Sequence, residues 1–425
     1  MTSRLSAFSR LLGCMGGLLA APVLAHGGFP ETSSFTQRRD HPEELLTGFT
    51  HGALLSRDSG QTWRWVCAEA MRYGSWTPER YEWLANGDLV AATGSALIRS
   101  RDGGCTWTVS DAFPGLWVTG LAPHPTEERR LYASTGRPAA TNALYRSEDS
   151  GETWTATALR GEAVLTSVRV APSDPRRLYV TGTRGYALFL FHSGDGGETW
   201  TEAPLKLPAG LVDAYDLKLM GVSPANPDEP WLRVSTRTAA GGILYTVLRG
   251  EDGGRVLTAV LSQEDPLVDM DVSADGRTAW VATYNHFFRE RGAGGFSTLP
   301  LPAGNACVKR LGSTLYACGS TWVHEWALAR STDEGDSWAP VFSLREVRGV
   351  HQCPEGTPVR EQCGRLWPQM AAQLGISPSS GGEDAGVEDG AEPEPPPRAR
   401  CAVAPGGSLL VPGVLVLLVR RRARR

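Results

Sequence analysis

The sequence predicts an all-β protein, a seven-bladed β-propeller of four-stranded blades followed by a short C-terminal helical cap. Three observations carry that expectation. An eight-residue phrase recurs as SRDSGQTW at 56–63, SRDGGCTW at 100–107, SEDSGETW at 147–154, SGDGGETW at 193–200 and STDEGDSW at 331–338. Its aspartates, at 58, 102, 149, 195 and 333, are 44, 47, 46 and 138 residues apart, and the last interval is three times 46. Two worn copies therefore belong in that gap, and a fixed period of this size is the mark of a repeat architecture. The segments between the phrases repeat as well, as short apolar runs separated by turns.

The worn copies can be read. ILYTVLRGEDGGRV at 243–256 keeps Gly250, Asp252, Gly253 and Gly254 without the tryptophan, and HFFRERGAGGFSTL at 286–299 keeps only the spacing and a glycine pair. ALLSRD, ALIRSRD, ALYRSED and ALARSTD run straight into the phrase as one strand. Upstream of each lies another strand: ELLTGF, DLVAAT, RLYAST, RLYVTG, PWLRVS, TAWVAT and TLYACG, seven in all. Runs such as VLTSVRVAP, AYDLKLMGV and PLVDMDVS supply a further strand after the phrase. Four short strands in about 45 residues make one blade, so seven blades are expected from about residue 41 to 350.

The pattern Ser-x-Asp-x-Gly-x-Thr-Trp resembles the Asp-box, or bacterial neuraminidase repeat, of sialidases, xyloglucan-hydrolysing enzymes, sortilin-type receptors and the propeller that assists photosystem II assembly. The resemblance implies the fold and leaves the function open, because those relatives include enzymes, receptors and assembly factors. Physically, the phrase suits the turn between third and fourth strands. Asp accepts from the N–H groups of its own turn, Gly two residues on permits a positive φ, Thr bonds back to the turn, and Trp opens the fourth strand with a large apolar face. Asp58, Asp102, Asp149, Asp195 and Asp333 are accordingly read as structural, with Trp63, Trp107, Trp154, Trp200 and Trp338 as packing partners. A Ca²⁺ site needs six or more oxygens, and each phrase offers one or two carboxylates, so neither a metal nor another cofactor is expected.

Blade topology sends the remaining loops to the other face, where the sialidase-like relatives hold their sites. That face is expected to carry Trp76, Trp117, Arg137, Arg160, Arg184, Tyr215, Asp216, Arg237, Asp269, His286, Trp322 and His324. Aromatics with Arg and Asp suit a saccharide or peptide. The expected role is a binding or scaffolding module for a glycan or protein ligand, acting as a monomer. The alternative is an extracellular glycoside hydrolase, sialidase- or xyloglucanase-like, with Asp216 and Asp269 as its carboxylate pair. FTQRRDHP at 35–42 does not match the Phe-Arg-Ile-Pro motif of sialidases, and there is no His-Glu-x-x-His, P-loop or Gly-x-Ser-x-Gly. A net charge of −4 gives no basic surface for nucleic acid.

The ends carry addresses. Residues 1–25 read as a secretory signal peptide: two Arg, an apolar run, and small residues before a cleavage site after Ala25. The propeller follows over 26–350, then a disulfide-tied helical cap over 351–376 with Val359, Cys363, Leu366, Trp367 and Met370 at helical spacing. Residues 377–400 form an acidic, Pro- and Gly-rich linker with too little apolar content to fold. Residues 401–425 run Cys, apolar stretch, Arg cluster. That order resembles the MYXO-CTERM sorting tail, which implies attachment to the cell surface or outer membrane through Cys401, or secretion after processing. A plain membrane anchor is the other reading. The body keeps six cysteines, an even number suited to disulfides in an oxidising compartment. Cys307 and Cys318 flank a hairpin, Cys353 and Cys363 bracket a short loop, and Cys67 with Cys105 remain as a pair by elimination.

Overall fold

The computed structural model describes residues 30–72, 80–292, 294–301 and 304–376. The signal peptide, the acidic linker, the tail with Cys401, and Trp76 lie outside the described residues. The chain divides into two units, Met1–Gly381 and Gly382–Arg425, and everything below concerns the first.

Seven antiparallel sheets each contain four consecutive strands. The first strands are Thr32–Arg38, Arg80–Trp83, Val118–Pro123, Val164–Val170, Asp216–Val222, Leu267–Val272 and Cys307–Leu311. Each neighbours the next, and the seventh returns to the first, so they ring a common axis. This is the expected seven-bladed propeller. Its core lies between blades, which explains why second strands such as Leu131–Thr135 and Thr278–Thr283 are buried at every position rather than at alternate ones.

The inner strands are sheet edges, and their free backbone groups need partners. Side chains of the adjacent blade supply several. Thr119 donates through Oγ1 to the Leu165 carbonyl at 2.8 Å, and Thr166 to the Leu217 carbonyl at 2.8 Å. The Leu219 amide donates to Ser167 Oγ at 2.8 Å. Blade 6 does this with acids: the Val308 amide donates to Asp269 Oδ2 at 3.1 Å and the Arg310 amide to Asp271 Oδ2 at 2.7 Å.

The first blade starts at Thr32, not near residue 41. Its first strand, TSSFTQR, is polar along most of its length, so it lacks the apolar run that marks the other strands. Thr32 and Phe35 are its buried positions. Phe35 stacks on Tyr316 of blade 7 at 4.7 Å, and Thr32 Oγ1 donates to the Ala327 carbonyl at 2.6 Å, which fastens the first blade to the last.

Because every blade is made of consecutive strands, no strand is exchanged between the chain's beginning and end. A strap takes that role. After the last strand, Ala339–Phe342, the chain crosses to blade 1 and runs parallel to its outer strand, Arg64–Cys67. The Arg348 amide donates to the Trp63 carbonyl, the Trp65 amide to Gly349, and the His351 amide to Trp65, at 2.8 to 2.9 Å. Disulfides Cys105–Cys353 and Cys67–Cys363 then pin the strap to blades 2 and 1. The helix Gly364–Leu374 follows, with Trp367 against Trp65 at 6.1 Å and Met370 and Leu374 buried; Leu366 and Trp367 are only partly buried.

Of the three expected disulfides, Cys307–Cys318 is present, joining residues that face each other across a hairpin. The other two pairings are corrected. Cys353 and Cys363 do not close a small loop and Cys67 does not meet Cys105. Each strap cysteine instead reaches a different blade, across 248 and 296 residues of sequence.

Candidate functional site

The repeated phrase forms the turn between third and fourth strands in five blades. In blade 3, Ser147 Oγ donates to Asp149 Oδ1 at 2.8 Å and accepts from the Gly151 amide at 2.8 Å. The Thr153 amide donates to Asp149 Oδ1 at 2.9 Å, and its hydroxyl to Oδ2 at 2.6 Å. Trp154 Nε1 donates to the Gly151 carbonyl at 3.1 Å. Gly151 has φ +84, and the residue before it, Ser150, is also left-handed at +64. The Ser–Asp and Gly–Ser bonds recur around Asp58, Asp102, Asp195 and Asp333. The worn copies fill the same places, with a turn at Asp252–Gly254 in blade 5 and left-handed Gly292 and Gly295 after Phe287–Arg291 in blade 6.

The third-position aspartate of each of the five turns is engaged by its own loop. Bonds from Thr199 and Ser193 hold Asp195 down at about 2, and bonds from Ser337 and Ser331 do the same for Asp333. Burial pushes Asp149 up, but Thr153 and Ser147 outweigh it and leave it at about 2. The tryptophans divide: Trp63 and Trp107 are buried, whereas Trp154, Trp200 and Trp338 are partly exposed, and Trp338 Nε1 alone of the five has no partner. One His/Cys cluster among the described residues, Cys105, His351 and Cys353, has metal-ligand spacing, but its two sulfurs are joined to each other and offer no thiolate.

With antiparallel strands in order, first-to-second and third-to-fourth turns share one end of the disc. The second-to-third connections and the inter-blade links share the other. Trp117 and Tyr215 stand in links, and Trp322 lies in the short helix Thr321–His324 between second and third strands. All three are exposed. Tyr186, 97% exposed on a hairpin tip, and Tyr284 join them on this end. Among the described residues these five are the exposed aromatics, and the end bearing the repeated turns has none. Tyr186 and Tyr284 were not singled out from the sequence; their place in second-to-third turns, TRGYAL and TYNHF, was the available signal.

The cations of this end are largely tied. Arg237 lies over the Tyr215 ring at 5.2 Å and Arg345 over Trp322 at 5.2 Å. Arg184 pairs with Glu202 at 2.8 Å and covers Phe189. Arg137 donates to the Gly115 carbonyl and braces a link, while Arg160 is exposed at the end of Thr155–Gly161. His286 Nδ1 sits 3.0 Å from Asp265 Oδ2. Burial pushes the Asp265 carboxyl up, but Thr283, Asn285 and His286 outweigh it, so it titrates below the usual range. His324 does not belong to the exposed face: it is buried, stacks on Trp326 at 4.2 Å, and is held by burial at a pKa of about 4.

Asp216 and Asp269 have separate partners. Asp216 Oδ2 accepts from Arg233 at 2.6 Å, and Arg233 also reaches the Leu267 carbonyl of blade 6 at 3.2 Å. Asp269 accepts from the Val308 and Met270 amides; burial nevertheless raises its carboxyl above the ordinary value. Asp269 is only partly buried by surface area, and Arg80 of blade 2, itself paired with Glu82, feels its charge.

Residues 95–207, about a quarter of the chain, match the family model described as sortilin, neurotensin receptor 3. That match and the seven blades fit the sialidase- and sortilin-like propellers. No curated protein matches. Among solved structures, the GH74 enzyme of Niastella koreensis is 14% identical, with 74% of this chain and 72% of that one covered and a TM-score of 0.31. YCF48 bound to D1 peptide is 14% identical, with 72% and 92% covered and a TM-score of 0.49. The nidogen/laminin complex is 13% identical, with 63% and 99% covered and a TM-score of 0.40.

Proposed function

We propose that this is an exported, surface-attached β-propeller that binds a glycan or protein ligand on the end opposite its Asp-box turns. The observation that carries the reading is the distribution of exposed aromatics: Trp117, Tyr186, Tyr215, Tyr284 and Trp322 share that end. Exposed aromatic rings flanked by guanidiniums offer flat apolar area with a polar edge, which suits sugar faces and peptide side chains alike. Three disulfides fit an oxidising compartment. Cleavage after Ala25 and attachment through Cys401 complete the proposal.

A glycosidase reading rests on the raised carboxyl of Asp269 alone. Its partner in that reading, Asp216, is held in an ion pair by Arg233, so this pair does not offer a second free carboxylate as acid or nucleophile. The test is a glycan and peptide array, with hydrolysis assayed on each hit. Binding without turnover, weakened about tenfold or more by Tyr215→Ala or Trp322→Ala, is expected. Turnover abolished by Asp269→Asn would replace this reading with the hydrolase.

A further inference from the structure

Five blades place an arginine at the same register in their third strands, opposite an equivalent residue of the second strand. These are Arg99, Arg146, Arg249, Arg289 and Arg330, facing Val90, Tyr132, Trp231, Trp280 and Tyr316. In four of them the arginine crosses the seam to an acid of the next blade. Arg99 meets Glu152 at 3.0 Å, Arg146 meets Glu198 at 2.7 Å, Arg289 meets Asp336 at 2.8 Å, and Arg249 pairs with Glu290. Glu152, Glu198 and Asp336 are each the sixth residue of the neighbouring Ser-x-Asp-x-Gly-x-Thr-Trp turn, whereas Glu290 stands in a third strand. At the seam from blade 7 to blade 1, that sixth residue is Gln61. Arg330 is exposed there and forms no ion pair among the described residues.

The same seam holds a groove of about 540 Å³. Arg330, Arg345 and Arg348 line it, with Gln61 and Val341 between them. All three arginines are exposed, and none has an acid partner among the described residues. The only carboxylate in the lining, Glu346, is turned back to accept from the Ser343 amide at 2.7 Å. Three arginines thus line the seam at which the sixth-position carboxylate of three other seams is replaced by Gln61.

We infer that this seam is a second binding site, for an acidic peptide segment of a partner protein whose carboxylate takes the place left by Gln61. Arginine forks match carboxylate geometry, and the apolar wall at Val341 accepts the stem of a Glu side chain. Arg345 also lies over Trp322 of the aromatic end, so the site is tested through Arg330, Arg348 and Gln61, none of which that end uses.

The probe is a fluorescein-labelled hexaglutamate peptide, followed by anisotropy with the full exported chain. Saturable binding that weakens with salt is expected. Gln61→Glu, which restores the seam pair, and Arg330→Ala with Arg348→Ala should each weaken it by about tenfold, while Arg129→Ala on another blade leaves it unchanged. Gln61→Glu keeps the fold by design, and an unchanged or raised melting temperature verifies that. The inference is overturned if hexaglutamate does not bind, if Gln61→Glu leaves its affinity unchanged, if Arg129→Ala weakens it equally, or if polygalacturonate uses these arginines and hexaglutamate does not.

Discussion

Asp149 accepts three hydrogen bonds inside its own turn, from the Ser147 hydroxyl and from the amide and hydroxyl of Thr153. Replacing it with Ala strands those donors at a partly exposed site, and a loss of about 1 kcal/mol in a denaturant titration is expected. Its titration makes the stability acid-sensitive. The folded carboxyls of Asp149, Asp195 and Asp333 lie at about 2 against an ordinary 3.8, so their contribution is full above pH 4 and disappears as pH falls toward 2. Melting curves of the wild type and of the triple Asp→Asn variant should therefore differ most near neutrality and converge at pH 2. The roles of Asp and Gly in these turns were legible because each rests on a property few residues share. The left-handed backbone at Ser59, Ser150 and Glu334 was not, because the turn imposes it on whatever residue stands there. Nor was the Thr hydroxyl's choice of the Asp carboxylate over the backbone.

The strap is the element whose assembly the sequence concealed. Third strands announce themselves by running into the repeated turn, and second strands by apolar runs such as RLYAST and TAWVAT. Thr32–Arg38 and residues 347–351 do neither, since both are fixed by long-range partners rather than by local pattern. For the same reason cysteine spacing misled: proximity in sequence favoured Cys353 with Cys363, whereas the strap places them against different blades. Non-reducing peptide mapping should yield peptides linking Cys67 to Cys363 and Cys105 to Cys353, and a peptide with Cys353 joined to Cys363 would refute the strap. Cys67→Ser with Cys363→Ser removes a link closing nearly the whole ring, and a destabilisation of about 2–5 kcal/mol is expected. Because blade 1 and blade 7 exchange no strand, hydrogen exchange in that variant should rise first along Arg64–Cys67 and the strap.

At the scale of the molecule, seven meanders closed into a ring separate two ends with different chemistry. One end is occupied by turns whose third-position aspartates are held by their own loops, while Glu152, Glu198 and Asp336 pair with arginines of the adjacent blade. The other collects exposed aromatics from blades far apart in sequence. The period near 46 made the ring and its two ends legible, but which side chains reach water depends on packing between blades, so His324 was misplaced and Tyr186 and Tyr284 were passed over. Likewise the ion pair of Asp216 with Arg233 follows from a cross-strand register, which no spacing along the chain announces. The central claim is that ligand engages the aromatic end. Hydrogen exchange with and without a saturating array hit measures this directly. Protection is expected at 116–118, 184–187, 212–216, 284–286 and 320–325, with the five repeated turns unchanged; protection confined to those turns would contradict it.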